Sequence, residues 1–178
     1  MIDPVVAQVC SLAGAAVFLS GAYGKWRERE LFAAAVEAYD LIPSVAVPTV
    51  STLLIVVETA VGLALLLPVA MPHAQLGGLA LLGLVTVAVV INLLRGRSEI
   101  SCGCGGASGD QQLSWGLVAR NIVLALALLA AALPVEPRAL VALDYATLVL
   151  GVLMLAGLYA AASQLLANHP RLWALRNS

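Results

Sequence analysis

Charge is what this sequence lacks most. Asp, Glu, Lys and Arg make up 11% of its 178 residues, where a soluble domain carries about 25%. With 62% hydrophobic residues and a mean hydropathy of +1.00, the chain is built for lipid. A formal net charge of −1 supplies no electrostatic footprint for nucleic acid. Four tyrosines and three tryptophans supply no stacking platform either. Cysteine is scarce, and three are too few for a disulfide scaffold. Histidine is scarcer: His73 follows Met71 and Pro72 in a tight loop, and His169 lies in the tail. Neither is expected to hold a metal. The residues Met1 to Pro4 lack a basic stretch, and no A-x-A site closes the apolar run that follows. That run is expected to stay as a membrane helix rather than be removed as a signal peptide.

What the chain has instead is long apolar runs. Five are long enough to span, given that about 20 apolar residues cross the hydrocarbon. They lie near residues 5–23, 49–69, 76–94, 115–133 and 140–166. Pro68 closes the second and Pro134 follows the fourth. Between the first and second lies a charged stretch, Lys25 to Glu30. After it, Leu31, Ala34, Ala35, Ala38, Leu41 and Ile42 recur at helical spacing. This predicts a short helix on the membrane surface, ended by Pro43. The expected fold is an all-α integral membrane protein, residues 1–178 forming one domain. It is a compact bundle of four to five transmembrane helices plus the short interfacial helix. Small residues such as Gly14, Gly62 and Gly78 let membrane helices approach closely. The tail from Asn168 is polar and expected to be disordered or interfacial.

The polar loop 95–114 carries Ile100, Ser101, Cys102, Gly103, Cys104, Gly105 and Gly106. Two thiols two residues apart exchange electrons as a disulfide or grip a soft metal, and both roles use the thiolate. They sit among glycines with little to pack against. Cys10 lies in an apolar run and reads as a small buried hydrophobe. Five spans place Lys25–Pro48, the cysteine loop and the carboxyl tail on one face, here termed the thiol face. The amino terminus and the loops near His73 and Arg138 share the other.

Ionisable residues within spans are costly and face a partner or a functional cavity. Glu58 lies about 13 Å below the thiol face and Arg120 about 8 Å below it, at 1.5 Å per residue. Asn121 and Asn92 lie in the same half of the membrane. Glu58 and Arg120 are therefore expected to lie within reach of each other. Arg120 and the start of the helix at Ser114 and Trp115 are expected to favour a thiolate at Cys102 or Cys104. Asp144, near the opposite face, reads as a solvated interfacial carboxylate.

These residues form an ordered pattern. It begins with Gly24-Lys25, then Leu31-Phe32 and Val36 through Pro43. Val57-Glu58 and Gly62 follow. Its most specific part is Asn92 through Arg97, Ile100, Cys102-Gly103-Cys104-Gly105, Ser114-Trp115 and Arg120-Asn121. The sequence resembles the methylamine-utilisation protein MauE family, within the broader DoxX-like group of small redox-associated membrane proteins. The resemblance covers most of the chain. It departs where Gly105 is followed by Gly106 and Ala107 instead of the expected phenylalanine and glycine.

The resemblance implies a bacterial inner-membrane protein that matures methylamine dehydrogenase, whose small subunit is rich in disulfides. It also implies a thioredoxin-like partner. On that reading Cys102 and Cys104 cycle between dithiol and disulfide, with Arg120, Glu58 and Asn121 in support. A disulfide closed across one glycine has strained geometry and is correspondingly oxidising. A membrane quinone near Glu58, Arg120 and Asn121 is one electron sink, by analogy with other membrane thiol oxidases. Two other classes compete. One is soft-metal handling by the Cys-x-Cys loop, although two ligands are too few for a closed zinc site. The other is a scaffold with no catalytic role. Orientation sets two expectations against each other. Seven of nine Lys and Arg residues flank the thiol face, which puts that face in the cytoplasm by the positive-inside rule. The family role calls for thiols outside it.

Overall fold

A computed structural model describes residues 2–67, 73–103, 111–136 and 138–176, with backbone alone for 169–176. The described residues form helices joined by turns and irregular loops, with two isolated bridges among them. Helix α1 spans Pro4–Arg27, α2 Arg29–Ala38, α3 Val47–Ala64, α4 His73–Leu94, α5 Trp115–Ala131 and α6 Ala142–Arg176. Four of these elements are long and apolar enough to cross a membrane, and α5 is a shorter apolar helix. The chain is a multi-pass membrane protein.

Local chemistry sets the helix ends. Asp3 caps α1, its carboxylate accepting from the Val5 N–H at 2.8 Å, with Pro4 in the first turn. Lys25 and Arg27 occupy the last turn, where cations offset the helix dipole. Glu28, at φ −122° and ψ 51°, breaks the chain between α1 and α2. Asp40, in the left-handed region at φ 52°, ends α2 ahead of Pro43. A 3-10 turn, Ser44–Ala46, leads into α3. Hydroxyls inside the spans bond back to their own helix, as Thr59 does to the Ile55 carbonyl at 2.7 Å. Lipid offers them no other acceptor.

Two differences from the sequence expectation concern helix length. Helix α3 ends at Ala64, short of residue 69, and Pro68 lies outside the described residues. Helix α6 runs through the polar tail to Arg176, so the tail is helical as far as its backbone is described. The apolar run marks where lipid is tolerated, and helix propagation continues past it because each added residue gains a backbone hydrogen bond.

Helix α1 is the centre of the bundle. It packs on α3, α5 and α6, while α4 packs on α3 and α5. A core of Ala15, Phe18, Leu65, Ala74, Leu81, Leu82 and Leu128 joins α1, α4, α5 and the end of α3. Glycine permits close approach inside the bundle, as at Gly14 and Gly62. A Cβ on Gly14 would stand 2.9 Å from Leu128 Cδ2, and one on Gly62 2.8 Å from Leu19. The outer face of α6 carries exposed Leu150, Leu153, Met154, Leu158 and Leu165, as a lipid-facing helix should.

The two ends of the bundle are built differently. At one end Ile2 pairs with Val135 in a parallel bridge. Arg138 there holds Asp3 at 3.0 Å and Asp144 at 2.7 Å. The amino end and the α5–α6 connection thus share a face. Asp144 is ion-paired and also accepts from the Val141 N–H at 2.8 Å. Arg138 and the first turn of α6 converge on it, an ion pair that the sequence reading of an interfacial carboxylate did not include. At the other end α2 and the cysteine loop lie together, as the topology requires. Helix α2 packs on α3 and α1. Its buried side chains, Phe32 and Ala35, and Tyr39 just beyond, face inward, while Leu31 is exposed.

Candidate functional site

Beneath α2 lies a cavity of about 300 Å³. Its walls come from α1, α3, α4, α5 and α6, and its roof from α2 and the start of the cysteine loop. Most of the lining is apolar: Phe18, Leu54, Leu81, Val85, Ala88 and Leu124 among others. Into this lining project Lys25, Glu58, Arg120, Asn121, Tyr39, Tyr159 and Cys102.

Glu58 is paired, but with Lys25. The ammonium Nζ donates to Glu58 Oε2 at 2.5 Å, and each side chain is 12% exposed. Lys25 also stands over the Phe32 ring, 5.4 Å from its centroid. Gly21, one turn before Lys25, lets the carboxylate lie against α1, since a Cβ there would meet Glu58 Oε1 at 2.9 Å. This overturns the expected Glu58–Arg120 pair. The reason is helix adjacency. Helix α3 packs on α1, α2 and α4, whereas α5 packs on α1, α4 and α6. Both residues line the cavity, and α1 brings its own cation to Glu58.

Arg120 is held from the other side. Its Nη1 donates to Ser163 Oγ at 3.2 Å and its Nη2 to Asn121 Oδ1 at 3.3 Å. The guanidinium lies over the Tyr159 ring at 5.0 Å. Asn121 Nδ2 in turn donates to Thr86 Oγ1 at 3.0 Å, linking α5 to α4. Asn92 is fully buried and donates to the Ala88 carbonyl at 3.1 Å. It braces α4 and is absent from the cavity lining.

The cysteine loop is anchored by a short antiparallel clamp. Ser101 bridges Gln112, the Cys102 N–H donates to the Gln111 carbonyl at 2.7 Å, and the Leu113 N–H donates to Ile100 at 3.0 Å. Cys102 is disulfide-bonded, Cys10 is free, and Cys104 lies outside the described residues. Cys102 is buried at 6% exposure among Tyr39, Leu113, Leu117 and Val118. The expectation that it has little to pack against is therefore wrong. The packing partners come from α2 and α5, which local composition does not reveal. Gly103, at φ +65°, turns the chain under α2, where a Cβ would stand 2.9 Å from that of Ala35. The Tyr39 hydroxyl donates to the Cys102 carbonyl at 3.2 Å. Burial pushes the Tyr39 phenol up to about 12, so it stays a donor at neutral pH.

Of the site residues read from the sequence, Cys102, Glu58, Arg120 and Asn121 line one cavity. Lys25, Tyr39 and Tyr159 were missed as parts of it. Lys25 had a signal: α1 extends past the apolar run, and a long side chain at its end reaches back along the neighbouring helix. Tyr39 lay inside the Val36 to Pro43 part of the ordered pattern, whereas Tyr159 had no signal beyond helical phase. Among the described residues, no three His, Cys, Asp or Glu side chains cluster as a metal site.

The family model described as methylamine utilisation protein MauE matches residues 3–135, which contain every cavity residue named above except Tyr159. The chain is 41% identical over 160 residues to a methylamine utilization protein MauE of Paracoccus versutus, covering 88% of this chain and 86% of the relative. It is 40% identical over 130 residues to that of Paracoccus denitrificans, covering 72% and 69%. A third, from Methylorubrum extorquens, is 35% identical over 139 residues, covering 77% and 75%. No solved structure matches the chain. With α1, α3, α4, α5, the cysteine loop and the buried charges all inside the matched residues, the chain belongs to the methylamine utilisation protein MauE family.

Proposed function

We propose that this protein is a thiol–disulfide exchange protein of the bacterial inner membrane that serves methylamine utilisation. It oxidises a thioredoxin-like partner and so supports maturation of an extracytoplasmic, disulfide-rich client such as the methylamine dehydrogenase small subunit. The observation that carries this reading is the disulfide at Cys102, held in the wall of a cavity that contains Lys25, Glu58 and Arg120. The membership of the family supports the pathway, since the relatives carry its name. The reading takes Cys104, two residues on in the Cys-x-Cys sequence, as the exchange partner of Cys102.

The burial of Cys102 gives the exchange a direction. A partner thiolate attacks the Cys104 sulfur, the S–S bond breaks, and Cys102 leaves as a thiolate on the cavity side. A second partner thiol then displaces Cys104, so the partner is oxidised by two electrons and the pair becomes a dithiol. Arg120, on the same cavity, favours the leaving thiolate. The client's location puts the thiol face outside the cytoplasm.

Trapping tests this. Cys102→Ser removes the protein's own resolving thiol, so with a thioredoxin-like partner that has also lost its second cysteine a mixed disulfide through Cys104 accumulates on non-reducing gels. Cys104→Ser accumulates little, and Cys10→Ser behaves as wild type. In intact cells a membrane-impermeant thiol reagent labels Cys104 in the Cys102→Ser variant. Full methylamine-dependent growth with both loop cysteines replaced by serine would sink the exchange reading and leave a scaffold.

A further inference from the structure

The pair needs an electron acceptor to be oxidised again, and we infer that the cavity under α2 binds a membrane quinone that accepts those electrons. This rests on the exchange reading above. The cavity's size suits a single-ring headgroup: about 300 Å³ lies at the small end of ligand sites, which run from about 300 to 1,000 Å³. The chemistry of the lining suits it as well. A quinone ring presents flat apolar faces and two carbonyl acceptors. Val85 and Ala88 offer the apolar wall, and Lys25 and Arg120 are cationic donors on the same cavity. Cationic donors in an apolar site are stronger than in water and favour an oxygen that gains electron density.

Access and redox contact complete the argument. Leu84 lines the cavity and is 60% exposed on α4, so this side chain of the wall also faces the outer surface, where a prenylated carrier resides. Cys102 lines the same cavity, so the sulfur that leaves as thiolate does so beside the acceptor. In the step, the two thiols of Cys102 and Cys104 form one S–S bond. Their two electrons and two protons convert both ring carbonyls to hydroxyls, giving one quinol per disulfide. A lipid acyl chain would suit the apolar wall equally but would accept no electrons.

The test uses full-length protein in phosphatidylcholine nanodiscs with a photoreactive azido-quinone bearing one isoprene unit. Labelling should map to peptides of α3, α4 and α5 and be competed by unlabelled short-chain quinone but not by oleate or phosphatidylglycerol. Ala88→Phe, or Val85→Trp if the first variant is not monodisperse, should weaken labelling about tenfold or more by filling the cavity. Anaerobic addition of quinone to the reduced protein should yield one quinol, and one disulfide, per chain. No competable labelling, or equal competition by oleate, overturns the site. Labelling without quinol formation overturns the electron transfer. Either failure leaves partner exchange standing, because mixed-disulfide trapping reads that separately.

Discussion

Removing one member of the Lys25–Glu58 pair should be among the most damaging single changes in this protein. Both side chains are 12% exposed, so solvent screens them little. Glu58→Gln keeps the shape of the side chain but leaves the Lys25 ammonium facing a neutral amide and the Phe32 ring at 5.4 Å. Breaking a buried ion pair this way costs about 3–5 kcal/mol. At about 2–4 °C per kcal/mol for a chain of this size, the midpoint of thermal unfolding falls by about 6–20 °C. Lys25→Met costs a similar amount, since it strands the carboxylate. The double variant should recover most of the loss, because a neutral pair of similar volume is often as stable as a buried ion pair. Thermal unfolding in a mild detergent, run as a double-mutant cycle, measures this. A coupling energy of about 2 kcal/mol or more is expected. A parallel cycle of Glu58→Gln with Arg120→Gln should give the smaller coupling. Additive losses for Lys25 and Glu58, or a larger coupling with Arg120, would refute the argument that α1 supplies Glu58's counter-ion.

Gly103→Ala should destabilise the cysteine loop by about 1–2 kcal/mol, because φ is +65° there and the new methyl would meet Ala35. The loss should show as faster alkylation of the loop cysteines under mild reductant, and an unchanged alkylation rate would count against the packing of Gly103 under α2. Tyr39 should make stability fall with alkaline pH. Its free phenol titrates near 10, and burial raises the folded value to about 12. Between those values the folded chain holds a proton that the unfolded chain has released, so stability drops as pH rises through that window. Tyr39→Phe should flatten the slope of unfolding stability between pH 10 and 12, and an unchanged slope would contradict the burial of the phenol under α2.

The membrane character and the helices themselves were legible in the sequence, since the length of an apolar run set against the thickness of hydrocarbon decides both. The polar end was legible too. Charge inside a span is expensive, so Glu58 and Arg120 stood out, and Cys102 and Cys104 stood out among glycines. Helix phase and topology placed Arg120, Asn121 and Cys102 in the same half of the membrane, and the structure gathers them round one cavity. What a single sequence could not contain is which helices are neighbours. Depth made Glu58 and Arg120 look like partners, but α1 lies against α3 and its Lys25 reaches Glu58 first. In the same way α2 reads alone as an amphipathic surface helix. Only tertiary packing makes it the roof that buries Cys102, donates Tyr39 to its carbonyl and closes the cavity. Hydropathy and helical period are properties of one segment, whereas ion pairing, burial of a thiol and the shape of a cavity belong to several segments at once.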